Sequence, residues 1–254
     1  MICNPTVKDV YNFIDSIAPF TKQCEWDNSG LVVGESGKAV RKIAVVLDIT
    51  SEAVMKAVEM NADLIVSHHP VIFRAVKRFT DSDPAFLLAK HGISAICAHT
   101  SLDIAKGGVN DTLAAALGFG NALPFAEDGE LSMLRIVEAD RISADALARL
   151  CIEKLSTGVR IADSGKEISK IALCGGAGAE FISAVSEAGC DAYITGDVKH
   201  HEFLEAKELG LTLIDAGHFE TENPVVAVLA EKIKENIDAE VEIIPQTSPV
   251  DYYI

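Results

Sequence analysis

Short apolar runs alternate with helical patterns along most of the chain. Runs such as IAVVL at 43–47 and LIV at 64–66 are each followed by a stretch with helical periodicity. Such runs are typical of strands that are buried on both faces of a parallel sheet, and the intervening helices supply the crossover connections. The pattern therefore predicts an α/β protein with mostly parallel sheets.

The same pattern occurs twice. Residues 42–70 align without a gap to residues 170–198, and residues 91–99 then align to residues 209–217. In each copy an apolar run, a helical stretch and a small-residue turn lead to the next apolar run. The repeat predicts two related α/β halves. Six positions of the first copy are identical in the second, namely Lys42, Ile43, Ala44, Glu52, Glu59 and Asp63.

The repeat divides the chain into three segments. Residues 1–120 are expected to form the first α/β half and residues 170–254 the second, with residues 121–169 as the connection. Within the connection, residues 131–139 are expected to form a strand. A helix is expected to follow it, with Ser143 as the N-cap.

Charge and cysteine content narrow the functional classes. The 254 residues carry a formal net charge of −16, which argues against nucleic-acid and anionic-membrane partners, because those contacts need clustered Lys and Arg. The chain shows neither a signal-peptide pattern nor a run of ~18 apolar residues. The six cysteines form no CxxC pair, which favours thiols in a reducing compartment. We expect a cytoplasmic protein.

Six of the seven histidines lie in four polar loops, each directly after an apolar run. Ligands of α/β sheets bind beside the carboxyl ends of the strands, so these loops are expected to carry the chemistry. The loops are SHHP at 67–70, AHTSLD at 98–103, GDVKHH at 196–201 and AGHFETE at 216–222.

His68 and His69 are adjacent in the first loop. A generic histidine pair is more often two ordinary loop residues than a metal site. Adjacent residues of an extended chain point in opposite directions, and Pro70 favours an extended His69. We therefore expect the two rings to bind two ions rather than one, and neutral imidazole suits Zn, Fe, Mn, Ni or Co.

Asp103 and His99 lie in the second loop. A carboxylate near two imidazoles is the usual third ligand of a divalent ion, although Asp103 is also a candidate helix cap, as is Asp111. His99 is either a ligand or a residue that orients one, and we favour the orienting role.

His218 and Glu222 are four residues apart in the last loop. A glutamate can bridge two cations with its two oxygens, as in two-metal hydrolytic sites. Alternatively, Glu220 and Glu222 are ordinary acids at a helix start, where the macrodipole favours them. Taken with the first half, the loops favour a shared set of ligands for two divalent ions: His68, His69, Asp103, His218 and Glu222.

Lys199 and His201 lie in the third loop. Lys199 is suited to hold a phosphate and His201 to transfer a proton, but a solvated helix start capped by Asp197 explains the loop equally well. Trp26 is the only tryptophan, and its position is more typical of packing than of stacking on a base.

Four stretches together resemble the GTP cyclohydrolase 1 type 2 homolog family, also called the Nif-three-like proteins. They are EWDNSGLVVG at 25–34, DLIVSHHPVIF at 63–73, AHTSLDIAKGGVNDTLA at 98–114 and GDVKHHEFLEAKELGLTLIDAGHFETE at 196–222. The resemblance implies two intertwined α/β repeats and commonly a homohexamer. It also implies a dinuclear metal centre held by the five residues above, with Glu222 as the bridging ligand.

The leading functional hypothesis is a metal-dependent hydrolase that resembles GTP cyclohydrolase 1 type 2 and acts on a nucleotide such as GTP or a similar small molecule. A metal-bound hydroxide would be the nucleophile, His201 or His99 would move protons, and Lys199 would position phosphate. The alternative is a protein for metal storage, delivery or regulation without turnover. A structural metal in an oligomeric scaffold is least favoured, because no cysteine lies in the ligand loops.

Overall fold

Residues 4–120 and 122–251 are described by the computed structural model, and they form two α/β units. The first unit contains the described residues up to Gly108 together with Val226–Gln246. The second contains Val109–Val225 and the described residues from Thr247 onward. The segment 121–169 therefore belongs to the second unit, and the chain returns to the first unit after Val225.

The first unit is built on a five-stranded sheet in the order β1-β4-β3-β2-β11. Strands β2, β3, β4 and β11 are parallel, and β1 pairs antiparallel with β4 at one edge. Its elements are α1 (Val7–Ile17), β1 (Gly30–Val33), β2 (Lys42–Val46), α2 (Ser51–Glu59), β3 (Leu64–Ser67), α3 (Pro84–His91), β4 (Ser94–Cys97), α4 (Thr100–Ile104), most of α10 (Pro224–Asn236) and β11 (Glu240–Ile243).

Burial on both faces explains the apolar strands of this sheet. Ala44, Val46 and Ile65 are completely buried and share one apolar core with Val54 of α2 and Leu88 of α3. Helices cover the central strands β2, β3 and β4, so these three strands carry no alternating polar face. This arrangement leaves the polar loops at the carboxyl ends of β3 and β4 as the place where side chains are available for chemistry.

The second unit is built on a six-stranded sheet in the order β5-β6-β8-β9-β10-β7. Strands β8, β9 and β10 are parallel, whereas the flanking strands β5, β6 and β7 pair antiparallel with their neighbours. Its elements are α5 (Val109–Ala116), β5 (Leu123–Pro124), β6 (Arg135–Ile142), α6 (Ala144–Leu155), β7 (Arg160–Ala162), β8 (Ile168–Ala177), α7 (Ile182–Glu187), β9 (Ala192–Gly196), α8 (His200–Leu209), β10 (Thr212–Asp215) and α9 (His218–Glu222).

The segment 121–169 contains β5, β6, α6 and β7. Strand β6 begins at Arg135, because a 3₁₀ turn at Glu130–Met133 precedes it and the pairing with β8 starts there. The expected strand at 131–139 is thus displaced toward the C-terminus. The expected helix is confirmed, since the Ser143 hydroxyl accepts the Ala146 N–H at the start of α6.

The strand register confirms the internal repeat. Leu64 of β3 is opposite Ser94 of β4, and the aligned positions Ala192 of β9 and Thr212 of β10 are likewise opposite each other. Because aligned residues occupy the same register positions, the two halves repeat one structural plan. The expectation of an α/β fold with internally repeated halves is confirmed.

Two further observations concern membrane-spanning helices and the cysteines. Within residues 4–120 and 122–251, no helix has the length and apolar character needed to span a membrane. The five cysteines in this part of the chain are buried and form no disulfide, while Cys3 lies outside the described residues. They are Cys24, Cys97, Cys151, Cys174 and Cys190.

Candidate functional site

Histidines His68, His69 and His99 form a cluster in the first unit. His68 and His69 directly follow β3, and His99 follows β4, so the parallel pairing of these strands brings the loops together. One ligand nitrogen from each of the three rings lies within 4.8 Å of the others. The rule that ligand groups collect at the carboxyl ends of parallel strands therefore holds for this sheet.

The rings of His68 and His69 lie side by side, with their centroids 4.8 Å apart. The expectation that these adjacent side chains point in opposite directions is wrong. The chain bends immediately after β3, and the Ser67 hydroxyl donates to the His69 carbonyl within the bend. Opposed side chains require an extended backbone, which ends here at Ser67.

The Nδ1 atom of each clustered histidine has an oxygen acceptor. His68 Nδ1 lies 2.9 Å from the Ala98 carbonyl oxygen. His69 Nδ1 lies 2.8 Å from Asp48 Oδ1, and His99 Nδ1 lies 2.8 Å from Asp27 Oδ1. Carbonyl and carboxylate oxygens only accept hydrogen bonds, so each Nδ1 carries a proton, and the corresponding neutral tautomer has its lone pair on Nε2.

Asp103 lies near His68 within the first unit. Its Oδ1 atom is 3.6 Å from His68 Nε2, and its side chain is largely buried. Asp103 is the fourth residue of α4, whose N-cap is His99, so the alternative role as a helix cap does not apply. Asp111 likewise forms a different contact, an ion pair with the buried Arg135. Asp103 thus supplies a carboxylate oxygen beside an imidazole nitrogen, as a metal site requires.

Asp27 organises the loop that holds His99. Its buried carboxylate accepts hydrogen bonds from His99, from the backbone and hydroxyl of Thr100, and from the Ser29 hydroxyl. Burial raises the pKa of Asp27, but the hydrogen bonds and the charge of His99 outweigh it, and the pKa lies well below its ordinary value. Asp27 is therefore ionised and fixes the His99 ring.

His218 and Glu222 form a pair in the second unit. His218 Nε2 lies 3.1 Å from Glu222 Oε2, and the Glu222 side chain is 5% exposed. Both belong to α9, where Glu222 is the last helical residue. Glu220 lies in the first turn of α9, where the macrodipole favours an acid, whereas the Glu222 side chain is buried against His218.

Asp197 orients His218. Its Oδ2 atom lies 2.7 Å from His218 Nδ1, so His218 also presents Nε2. The backbone of Asp197 has φ +54°, a left-handed conformation that costs energy for a residue other than glycine. Lys199 rather than Asp197 is the N-cap of α8, so the capping role does not apply to Asp197.

Gly176 leaves room for the pair. A Cβ atom at this position would lie 2.1 Å from Glu222 Oε1 and 3.4 Å from His218 Nε2, and its φ of +67° also favours glycine. A side chain at this position would therefore displace the carboxylate. The glycine provides space where the side chains of His218 and Glu222 converge within the second unit.

Lys199 and His201 lie at the start of α8 and are mostly exposed. Lys199 Nζ is 3.6 Å from Glu202 Oε1, and His201 Nε2 is 3.9 Å from the same oxygen. Both side chains therefore share a carboxylate partner on their own helix. Each has enough exposed surface to contact a dissolved molecule.

Asp48 and Asp27 are the important residues that sequence reasoning missed. Asp48 directly follows the apolar run of β2, so the strand-end rule that singled out the histidine loops also points to it. Asp27 belongs to a loop before β1, and its partner His99 is 72 residues away in the chain. No local pattern signals that contact.

The donor set fits divalent metal ions. Imidazole nitrogens with a fixed Nδ1 proton and carboxylate oxygens are the ligands that Zn, Fe, Mn, Ni and Co accept. Carboxylates behind the ligating rings are the usual supports of such sites. The predicted residues divide between the units, with His68, His69 and Asp103 in the first and His218 and Glu222 in the second.

Comparisons with known proteins identify the family. A family model described as Duf34/NIF3 (NGG1p interacting factor 3) matches residues 5–249. A Clostridium perfringens protein named GTP cyclohydrolase 1 type 2 homolog is 37% identical over 249 residues, covering 94% of this chain and 95% of the relative. A Helicobacter pylori protein named GTP cyclohydrolase 1 type 2 is 36% identical over 234 residues, covering 89% of this chain and 90% of the relative.

The crystal structure of a hypothetical Staphylococcus aureus protein has a TM-score of 0.89 and 26% identity, covering 98% of this chain and 100% of that chain. The resemblance found in the sequence is thereby confirmed, and the chain belongs to the Duf34/NIF3 family.

Proposed function

We propose that this protein is a hydrolase of a nucleotide or a similar small molecule that depends on two divalent metal ions. The ions would be held by His68, His69, Asp103, His218 and Glu222, with Glu222 as the bridging ligand. The observation that carries the proposal is the fixed orientation of the ligand rings. In both units the Nδ1 atoms donate to oxygen, so Nε2 is prepared to bind a metal before any metal arrives.

The metal ions would lower the pKa of water and attract negative charge on the substrate. Positive charge from the ions would also offset the formal net charge of −16, which otherwise repels an anionic substrate. The acidic composition is therefore compatible with a nucleotide substrate.

His99 is proposed to move a proton near the reacting bond. Its Nδ1 atom is engaged by Asp27, whose negative charge stabilises the imidazolium that forms when Nε2 accepts a proton. Lys199 is proposed to bind phosphate, and His201 to exchange a proton with solvent or substrate. Their exposure at the start of α8 supports these roles.

GTP is the first substrate to test, because two similar proteins carry GTP cyclohydrolase 1 type 2 in their names. Hydrolysis of the two C–N bonds around the carbon between the imidazole nitrogens of the purine consumes two water molecules. It releases that carbon as formate. The proposal includes assembly into a homo-oligomer, with a homohexamer as the expected state, and a cytoplasmic location in keeping with buried cysteines that form no disulfide.

The test is incubation of the metal-loaded protein with GTP while formate is measured. Wild type should release formate, whereas His218→Ala and GTP with metal alone should not. Lys199→Ala should raise KM for GTP, and Lys207→Ala on the same helix is the matched control. No formate from wild type, together with ready transfer of its metal to a chelator, would overturn the hydrolase and favour metal storage or delivery.

A further inference from the structure

Three rings in the first unit form what we call the aromatic cluster, consisting of Trp26, Phe73 and His99. The ring centroids of Trp26 and Phe73 are 5.8 Å apart, and each lies 5.9 Å from the centroid of His99. The angles between the ring planes are 59°, 72° and 81°, so no two of these rings stack face to face. The faces of the three rings are therefore not paired with one another.

The aromatic cluster is held by hydrogen bonds of the two loops that carry it. The Asn28 side chain donates to the Ile72 carbonyl oxygen at 2.6 Å, which joins the segment after Trp26 to the segment before Phe73. Asp27, which lies in the same loop as Trp26 and Asn28, accepts a hydrogen bond from His99. Hydrogen bonds thus join the segments next to Trp26 and Phe73 and orient the His99 ring beside them.

Two of the rings are nevertheless half exposed. Trp26 is 52% exposed and Phe73 is 45% exposed. Trp26 is therefore only partly packed, in contrast to the sequence-based interpretation of its role. Burial of aromatic rings is favourable, so two adjacent half-exposed rings offer apolar surface to a ligand.

The aromatic cluster is continuous with the histidines of the candidate metal site. The His99 centroid lies 5.2 Å from that of His68 and 5.4 Å from that of His69. A molecule that covers Trp26 and Phe73 would therefore lie beside the proposed ligands. Its size is limited by that proximity, which favours a small molecule over a protein chain.

We propose that Trp26 and Phe73 bind the planar heteroaromatic ring of the substrate beside His99. This inference rests on the proposed function, and it specifies the substrate class as a nucleobase-like ring compound. Stacking and edge contacts recognise the ring itself, whatever phosphate or sugar it carries. An aliphatic phosphate or a free sugar phosphate would not gain these contacts.

The test uses Trp26 as its own reporter, because it is the only tryptophan in the chain. Guanosine, which has the ring but no phosphate, is titrated into metal-loaded protein while tryptophan emission is recorded. Tripolyphosphate, which has phosphate but no ring, is the comparison. We expect saturable quenching by guanosine and none by tripolyphosphate, and the reverse result would overturn the inference.

Calorimetry of guanosine binding tests the rings individually. Trp26→Ala and Phe73→Ala should each weaken binding about tenfold, and Trp26→Phe should weaken it less. Phe79→Ala is the matched control, because Phe79 is also 52% exposed but belongs to no ring contact with His99 among the described residues. An equal loss in Phe79→Ala would contradict a specific ring site.

Metal content and oligomeric state distinguish a ring site from a contact between copies of the chain. The variants Trp26→Ala and Phe73→Ala should keep the metal content and subunit number of wild type. If they change subunit number while guanosine affinity is unchanged, the aromatic cluster is a contact between copies and the inference is overturned. Guanosine binding requires no turnover, so a failure of formate release alone would refute the hydrolase and not the ring site.

Discussion

The two units share one structural plan but use it differently. In the first unit β2, β3 and β4 are followed by α2, α3 and α4, and in the second β8, β9 and β10 are followed by α7, α8 and α9. An antiparallel strand closes each sheet beside the last of these strands, β1 in the first unit and β7 in the second. The shared order of strands and helices therefore does not determine which loops contain the candidate functional residues.

The shared plan includes an acid with the same structural task in each unit. Asp63 accepts the Arg41 N–H in the first unit, and its aligned counterpart Asp191 accepts the N–H groups of Ser169 and Lys170 in the second. Both carboxylates satisfy backbone donors at the start of a buried strand. The identity of Asp63 and Asp191 in the repeat alignment is therefore explained by backbone hydrogen bonding rather than by catalysis.

The units differ in the loops at their strand ends. The first unit has His68 where the aligned position of the second is Gly196, and His69 where the second has Asp197. Thr100, the first residue of α4, aligns with His218, the first residue of α9. The first unit contains three of the proposed ligands, whereas the second contains one proposed pair together with Gly176, which leaves room for it. The proposed metal binding therefore depends on the loop residues and not on the repeated scaffold.

The largest effect is expected from filling the space beside Glu222. Gly176→Ala should remove at least one equivalent of bound metal, because the new Cβ would collide with Glu222 Oε1. Metal analysis of the purified variant measures this effect. Gly118→Ala is the matched control, since Gly118 also has a positive φ but open space around it. That control should cost about 1 kcal/mol of unfolding free energy and keep its metal. Equal metal loss in both variants would contradict the role assigned to Gly176.

A smaller effect is expected when the carboxylates behind the ligand rings lose their charge. Asp48→Asn in the first unit and Asp197→Asn in the second should each weaken metal binding about 10–100-fold, because each Asp fixes the ring of a proposed ligand. Competition with a chelator measures the affinities. Asp81→Asn removes the same charge from an exposed position and should have no effect. If only one unit responds, then only that unit holds metal.

The smallest effect concerns the shared acids. Burial raises the pKa values of Asp63 and Asp191, but hydrogen bonds outweigh it and both values are lowered. The folded state therefore binds protons less readily than the unfolded state, so the two ionised carboxylates stabilise the folded state. This contribution is present above about pH 4 and decreases as the pH falls further.

Asp63→Asn and Asp191→Asn should each reduce the free energy of unfolding by about 1–2 kcal/mol at pH 7, measured with urea. Each variant should also lose less stability than wild type between pH 5 and pH 3, because aspartate takes up a proton in about this range and asparagine does not. Asp140→Asn, at an exposed position, is the control. A large difference between the two units would contradict the equivalence of these acids.

The sequence predicts the fold and the ligand loops because both follow from local patterns. Apolar runs mark buried strands, and the residues after them lie at the carboxyl ends of the sheet, where His68, His99 and His218 are found. The contacts that orient those rings were not predictable in the same way. Asp27 and His99 are 72 residues apart in the chain, and the bend that brings the rings of His68 and His69 together begins at a strand end, where the backbone is least determined by periodicity.

Metal stoichiometry tests the proposed function most directly, because the proposal assigns ligands of two ions to both repeats. Wild type should carry about two equivalents of divalent metal. His68→Ala from the first unit and Glu222→Ala from the second should each remove at least one equivalent. His91→Ala, the histidine outside the four loops, should keep both. Retention of two equivalents by either His68→Ala or Glu222→Ala would contradict the proposed set of ligands.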